Sequence, residues 1–211
     1  MQVAVVDIGK PGKNLGWFLD TSPLRSGGDI DQCVDALASA LTVSGLALGF
    51  EAPMFVPVRE KPGELLKARA NECLNGINRP FLAGPGASVL VTALVVVPYI
   101  LSRLRKKVPE ATATLDWHKP PSAPLQLLLF EAFVTDQRKD NIQRHVEDAE
   151  LAVKKFRVGM KDPSALKSDV EEPETFNLLG AMMLRTGWSS DPRILTEPCL
   201  VVRAYAEHKT I

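Results

Sequence analysis

Three short, dominantly apolar runs each end on an acidic residue, and this feature constrains the fold more than any other in the sequence. The runs occupy residues 3–6, 46–50 and 125–130, and they end at Asp7, Glu51 and Glu131 respectively. Apolar runs of this length are typical of strands buried on both faces, as in the centre of a parallel sheet. A carboxylate at the end of such a strand is costly to bury unless a positive charge lies beside it. The repeated pattern therefore predicts buried strands with acids at one edge of a sheet.

The segment between the first two runs predicts how their strands are connected. A turn rich in Gly, Pro and Asn leads into a second strand at 15–19, so the first two strands form a predicted hairpin, and 21–28 is expected to be a polar loop. Apolar residues at helical spacing predict a helix that begins near Asp29 and is closed at Ser44 and Gly45. Strand, helix and strand with short links indicate a parallel crossover. In such sheets the functional crevice lies outside the carboxyl ends of the strands, where Asp7 and Glu51 are expected if their strands are adjacent.

Further elements are predicted along the rest of the chain. Helices are expected at 88–107, at about 140–160 and at 174–185, and a final strand at 200–205. In the helix at 140–160, at roughly 100° per residue, His145 lies near the centre of the apolar face and Asp148 at its margin. An acid at that margin either points into a cleft at the end of the sheet or is an ordinary solvated residue. The sequence leaves both alternatives open for Asp148.

Residues 54–87 form a long insert that carries three arginines, Arg59, Arg69 and Arg79. The insert is expected to hold a helix-like piece at 64–75 between loops rich in Pro and Gly. A planar guanidinium group near a carboxylate pocket suits phosphate binding. The alternative is that these arginines pair on the surface with acids of the insert, namely Glu60, Glu64 and Glu72. With a C-terminal extension at 161–211, the insert belongs to one predicted domain that spans 1–211.

Composition narrows the functional class and the compartment. The 25 basic and 25 acidic residues cancel, which argues against a broad non-specific grip on nucleic acid but permits a local basic cleft. The three cysteines, Cys33, Cys73 and Cys199, show no CxxC pair and no zinc spacing, so we expect free thiols in a reducing cytoplasm. A strand begins almost at once, so no signal peptide is expected. The apolar segment at 89–101 is shorter than a bilayer span and contains Pro98, which favours a core helix and no membrane partner.

Four short motifs, in this order, resemble the ribonuclease-H-like superfamily. They are Asp7 in VDIG, Glu51 in GFEAP, Glu131 in LFEAF and Asp148 in VEDAELAV, and Gly16-Trp17 matches a Gly-Trp pair on the second strand of an uncharacterised family of predicted nucleases within it. The resemblance spans about residues 3–156 and implies an α/β fold with a ribonuclease-H-like mixed sheet flanked by helices. The superfamily usually has a third antiparallel strand, for which 21–28 leaves little room. The Arg-rich insert has no counterpart in its well-understood members.

The resemblance implies a divalent-metal-dependent nuclease or phosphodiesterase that uses Mg²⁺ or Mn²⁺ and acts on nucleic acid or another phosphodiester. Asp7, Glu51 and Asp148 would be metal ligands, and Glu131 would be a fourth catalytic acid, either a ligand or an outer partner. Phosphate groups of the substrate would be received by basic residues, namely Lys10, Lys13, Arg59, Arg69 and Arg79. Two divalent ions about 4 Å apart can activate a water and stabilise the leaving oxygen of a phosphodiester. Hard cations of this kind prefer oxygen ligands.

Two other functions stay open. A strand followed by Asp-x-Gly and a Gly- and Lys-rich hairpin also begins the actin-like and sugar-kinase fold, where it binds ATP phosphates, although the sequence has no second Asp-x-Gly loop. The other alternative is a non-catalytic ribonuclease-H-like module used for binding or assembly. The sequence does not distinguish DNA, RNA and small phosphoesters as substrates. It also leaves endo or exo cleavage and the oligomeric state open.

Overall fold

The computed structural model, which describes residues 1–73, 80–135 and 142–205, is built around a seven-stranded mixed sheet. The strands of this sheet are β1 (Gln2–Asp7), β2 (Gly16–Asp20), β3 (Arg25–Gly27), β4 (Leu46–Glu51), β6 (Thr112–Thr114), β7 (Gln126–Thr135) and β9 (Val201–Tyr205). A second, two-stranded sheet consists of β5 (Phe55–Pro57) and β8 (Thr175–Asn177). The helices are α1 (Ile30–Val43), α2 (Gly84–Lys107), α3 (Ile142–Gly159) and α4 (Leu178–Thr186). Two short 3-10 turns lie at Pro62–Glu64 and Pro192–Leu195.

The strands of the main sheet follow the order β3-β2-β1-β4-β7-β6, and β9 also pairs with β7. β1, β2 and β3 form an antiparallel meander, whereas β4 is parallel to both β1 and β7. β6 pairs with the first part of β7 and β9 with its last part, both in parallel. The predicted α/β mixed sheet flanked by helices is confirmed, and its arrangement is consistent with a ribonuclease-H-like one.

The apolar runs form the central strands because both faces of the sheet are covered. Along β1, β4 and β7, alternate side chains enter two separate cores, as expected from the two-residue period of a strand. Val6, Leu48 and Leu129 belong to the core under α1, α2 and α4. Phe130 lies on the other face, where its ring stacks on that of Phe156 in α3 with the ring centroids 4.4 Å apart.

Gly16 sets how closely α3 approaches the sheet. A Cβ atom at this position would lie 2.5 Å from the backbone carbonyl carbon of His145 and 2.6 Å from the backbone nitrogen of Val146. Contacts this short with backbone atoms cannot be relieved by turning a side chain, so only glycine fits. The next residue, Trp17, donates a hydrogen bond of 2.9 Å from its indole nitrogen to the carbonyl of Asp29, just before α1. The Gly-Trp pair therefore fixes helices on both faces of the sheet.

The predicted helix after the hairpin is confirmed as α1. The carboxylate of Asp29 caps its first turn by accepting a 2.8 Å hydrogen bond from the backbone N–H of Gln32. The helix ends at Ser44, whose backbone N–H donates to the carbonyl of Ala40. The predicted helices at 88–107 and 140–160 correspond to α2 and α3, although 140 and 141 lie outside the described residues.

Two local predictions are wrong. Residues 21–28 are not only a loop, because β3 pairs with β2 there and supplies the third antiparallel strand. Three residues suffice, since β3 is an edge strand and its polar side chains are exposed at Arg25 and Ser26. The helix-like piece expected at 64–75 is absent from its described part, 64–73, where only the end of a 3-10 turn is regular. That segment buries Arg69 and Glu72, which pair with each other and also bind Glu131 and the backbone N–H of Phe81, respectively.

The insert and the C-terminal extension bind each other. β5 of the insert pairs antiparallel with β8 of the extension, and an isolated bridge joins Ala70 to Glu171. A guanidinium nitrogen of Arg59 lies 2.6 Å from a carboxylate oxygen of Glu172. The helix expected at 174–185 begins later, at Leu178, because β8 occupies the three residues before it. The final predicted strand is confirmed as β9, which ties the extension to the main sheet.

Within the described residues, α2 is the one helix long and apolar enough to cross a membrane by length and composition. A third (33%) of its most apolar window is buried inside the protein. Its inner face contributes Val97, Ile100 and Leu104 to the core, whereas Val91 and Val95 are 64% and 72% exposed. A core helix of an α/β fold accounts for this inner face, which is consistent with a soluble protein.

Candidate metal centre

Asp7 and Glu51 lie side by side at the carboxyl end of the sheet. They are the last residues of β1 and β4, and the parallel register pairs them directly. Paired residues of neighbouring strands direct their side chains to the same face of a sheet, so both carboxylates point to the face that α3 covers. Both are buried, with Asp7 2% and Glu51 8% exposed.

Asp148 reaches the same place from α3. It is 5% exposed, and its carboxylate, with those of Asp7 and Glu51, offers ligand atoms that all lie within 4.8 Å of one another. Of the two alternatives that the sequence left open for Asp148, the structure places it at the end of the sheet and not in solvent. We call these three residues the carboxylate cluster.

His145 lies one helical turn before Asp148 and contacts the cluster directly. Its Nδ1 atom is 2.7 Å from Oδ2 of Asp7, and the imidazole is buried. This distance is that of a hydrogen bond between the imidazole and the carboxylate. Sequence reasoning placed His145 on the apolar face of the helix but gave it no role. The available signal was its i, i+3 spacing from Asp148, which puts the two side chains on one face.

Three carboxylates so close together require positive charge or protons nearby. Like charges in contact repel, and burial strengthens that repulsion because little water remains to screen it. Carboxylate oxygens in this number and arrangement are the ligands that Mg²⁺ and Mn²⁺ prefer in proteins. The donor set of Asp7, Glu51 and Asp148 therefore suits a hard divalent cation.

The structure does not bring Glu131 into the carboxylate cluster. In the register of β4 and β7, Glu131 pairs with Phe50, whereas Ala132 pairs with Glu51. Because successive side chains of a strand alternate between faces, this offset of one residue sends Glu131 to the face opposite Glu51. The similar triplets Phe50-Glu51-Ala52 and Phe130-Glu131-Ala132 are thus not equivalent in the sheet.

Glu131 instead binds Arg69 of the insert. Two guanidinium nitrogens of Arg69 donate to the two carboxylate oxygens of Glu131, at 2.8 and 2.7 Å, and both side chains are 1% exposed. Glu131 also accepts a 2.8 Å hydrogen bond from the backbone N–H of Met54. Met54 follows Glu51 by three residues, so Glu131 holds the chain where it leaves β4. The structure thus gives Glu131 a positioning role next to the cluster.

Arg69 is fully engaged by acids and is not exposed to a substrate. Glu72 accepts a second set of hydrogen bonds from Arg69, including one of 3.0 Å from Nε. Burial alone would lower the pKa of Arg69, but the charges and hydrogen bonds of Glu131 and Glu72 raise it above its ordinary value. Arg69 pairs with Glu72 as one sequence alternative expected, but in the interior and not on the surface.

The other basic residues proposed for phosphate binding differ in their surroundings. Arg59 is ion-paired with Glu172, and Arg79 lies outside the described residues. Lys10 and Lys13 are exposed in the turn that follows β1, at the same edge of the sheet as Asp7. In the described part of the chain, neither lysine has an ion pair. Of the original set, Lys10 and Lys13 are therefore the described basic side chains that are exposed.

Comparison with protein-family models, with curated proteins and with solved structures finds no match to this chain. The resemblance to the ribonuclease-H-like superfamily stays a prediction, carried by the motifs and by a consistent fold. A functional conclusion must come from the chemistry of the carboxylate cluster itself.

Proposed function

We propose that this chain is a divalent-metal-dependent phosphodiesterase that acts on nucleic acid, with Asp7, Glu51 and Asp148 as ligands of Mg²⁺ or Mn²⁺. One observation carries the proposal: three buried carboxylates converge within 4.8 Å, two from adjacent strand ends and one from the helix that covers them. Parallel strand ends are the usual place for a functional crevice in α/β folds.

The residues of the centre would divide the work. When bound, the metal supplies polarisation of the phosphoryl group and a water that loses its proton near neutral pH. Asp7, Glu51 and Asp148 hold it, and His145 orients the carboxylate of Asp7 through its 2.7 Å hydrogen bond. Lys10 and Lys13, exposed beyond β1, attract the negatively charged backbone of the substrate.

The charge of the protein favours a substrate that is bound through a few contacts close to the carboxylate cluster. The chain has no net charge at pH 7, so long-range attraction to nucleic acid is weak. Contacts with a few phosphates next to the cluster are then more important than a long basic track. A reducing cytoplasm is the proposed compartment, since the three cysteines of the sequence are scattered and show neither a CxxC pair nor zinc spacing.

The first experiment is a titration of Mn²⁺ into the purified protein, in which binding is measured by calorimetry. Asp7→Asn and Asp148→Asn keep the size of each side chain but remove one charged ligand, and each is expected to abolish or strongly weaken binding. Glu147→Gln is the matched control, because Glu147 is the neighbour of Asp148 on α3 but is exposed. This control should bind Mn²⁺ like the parent protein. Binding that survives both aspartate substitutions would show that the metal is held elsewhere.

Activity is then measured on a small phosphodiester, bis(4-nitrophenyl) phosphate, and on single- and double-stranded DNA and RNA. We expect hydrolysis that needs Mn²⁺ or Mg²⁺, that is lost in Asp7→Asn and Asp148→Asn, and that persists in Glu147→Gln. Metal binding without hydrolysis of any of these substrates would instead favour the non-catalytic module. Phosphate release from ATP alone would favour the kinase-like alternative.

A further inference from the structure

A pocket opens directly beside Glu51, between the first turns of α2 and the carboxyl ends of β4 and β7. Its volume is about 150 Å³. The walls are mostly apolar and include Phe81, Pro85, Val89, Ala132, Phe133 and Val134. Glu51 belongs both to the wall of this pocket and to the carboxylate cluster. We call it the Phe81–Phe133 pocket.

Both aromatic residues of the pocket wall make defined contacts with buried side chains. The backbone N–H of Phe81 donates a 3.0 Å hydrogen bond to the buried carboxylate of Glu72. The guanidinium group of Arg203 in β9 lies 4.7 Å from the centre of the Phe133 ring. Arg69 also lines the pocket, but its charge is paired with the acids Glu131 and Glu72. The pocket therefore offers mostly apolar and aromatic surface, with Glu51 as the acid that it shares with the carboxylate cluster.

We propose that the Phe81–Phe133 pocket is a subsite for one unpaired nucleobase of the substrate, joined to the carboxylate cluster at Glu51, the residue that belongs to both. The inference rests on the proposed function and adds a substrate class to it, namely single-stranded nucleic acid. A cavity of this size admits one small aromatic ring, and every base has a flat face that stacks on aromatic side chains. A base held in a duplex cannot enter without unpairing and unstacking.

Position 89 allows the pocket to be filled without a change in the carboxylate cluster. Val89 contributes its side chain from α2, and Val89→Phe adds an aromatic ring at that wall. Val91→Phe is the matched control, because Val91 lies on the same helix but is 64% exposed and does not line the pocket. A second variant, Phe133→Leu, keeps an apolar side chain but removes an aromatic face from the opposite wall.

The test compares cytidine 5′-monophosphate with ribose 5-phosphate, which has the phosphate and the sugar but no base. Both are titrated into the parent protein and the variants in the presence of Mn²⁺. The parent is expected to bind the nucleotide about tenfold more tightly, which corresponds to the usual value of stacking one base. Val89→Phe and Phe133→Leu should lose most of this preference, whereas Val91→Phe should keep it. Mn²⁺ affinity should be the same in all four proteins.

Two results would overturn the subsite. Equal affinity of the parent for the nucleotide and the sugar phosphate would show that no base is bound. A preference that persists in both Val89→Phe and Phe133→Leu would place the base elsewhere. A second titration distinguishes this inference from the proposed function. Cytidine, which has no phosphate, is added to the protein without metal, and binding is monitored by NMR chemical shifts. If cytidine causes chemical-shift changes that Val89→Phe abolishes, but the protein binds no Mn²⁺, the base subsite is supported and the proposed metal centre is rejected.

Discussion

The ion pair between Arg69 and Glu131 allows a test of the role that the structure gives to Glu131. Glu131→Gln keeps the shape of the side chain and one oxygen that can accept from the Met54 N–H. It removes the negative charge opposite Arg69 and places an amide N–H₂ where a carboxylate oxygen accepted a hydrogen bond. The buried guanidinium then loses one of its two acidic partners.

The magnitude follows from the burial of the pair. Removal of one partner of a fully buried ion pair usually costs about 3–5 kcal/mol, because a charge is left uncompensated. Both side chains are 1% exposed, but Glu72 still contacts Arg69. We therefore expect a loss at the lower end, about 3 kcal/mol. In a chain of this size that corresponds to a fall in Tm of about 6–12 °C.

Urea unfolding followed by circular dichroism measures this change in the free energy of unfolding. The control is Glu64→Gln, because the pair between Lys67 and Glu64 is long, at 3.6 Å, and solvent-exposed. Exposed pairs contribute about 0–1 kcal/mol, so this variant should unfold close to the parent. Mn²⁺ affinity should be unchanged in Glu131→Gln, since Glu131 lies outside the carboxylate cluster. A Glu131→Gln protein with parental stability but no Mn²⁺ binding would refute the reasoning and restore Glu131 as a ligand.

Two further predictions concern packing and thiol chemistry. Gly16→Ala should displace α3, because its Cβ would lie 2.5 Å from a backbone atom. We expect the free energy of unfolding in urea to fall by about 2 kcal/mol or more, and Mn²⁺ binding to weaken. Gly63→Ala is the control, because position 63 has open space around it. Burial raises the pKa of the Cys33 and Cys199 thiols well above the ordinary value. In the folded protein a disulfide reagent should therefore modify quickly only Cys73, which is exposed. In guanidinium chloride it should modify all three cysteines. Rapid reaction of a second thiol in the folded protein would contradict the burial of these cysteines.

The sequence was sufficient to predict where Asp7 and Glu51 lie. Each ends an unbroken apolar run, and the strand-helix-strand order predicted parallel strands. Both acids were therefore expected at one edge if the strands were adjacent, and the structure shows that they are. Asp148 was predictable only as one of two alternatives, because a residue at the margin of a helical stripe can face either way. The sequence assigned no role to His145, because a single histidine on an apolar helix face does not indicate a function unless its hydrogen-bond partner is known.

The role of Glu131 could not be predicted, because it depends on register. The sequence shows that an apolar run ends at Glu131, but not that β7 continues to Thr135, nor whether Glu131 is level with Glu51 or one residue away from it. The partner of Glu131, Arg69, lies 62 positions earlier in the chain, in a segment that was expected to be helix-like but is irregular in the structure. The short strand β3 was not predicted for a related reason: three residues, two of them exposed, carry too little pattern to be recognised.

The pairing of β9 with β7 has a consequence for the order in which the chain folds. All three acids of the carboxylate cluster, and the elements that carry them, are synthesised by residue 159. The stretch of β7 from Glu131 to Thr135 nevertheless has no partner on that side until Val201–Tyr205 has left the ribosome. A nascent chain that already holds the cluster therefore presents an unpaired, apolar strand edge, the kind of surface at which chains associate with one another. The interval between the synthesis of β7 and that of β9 is thus a stage at which this protein is exposed to misassembly.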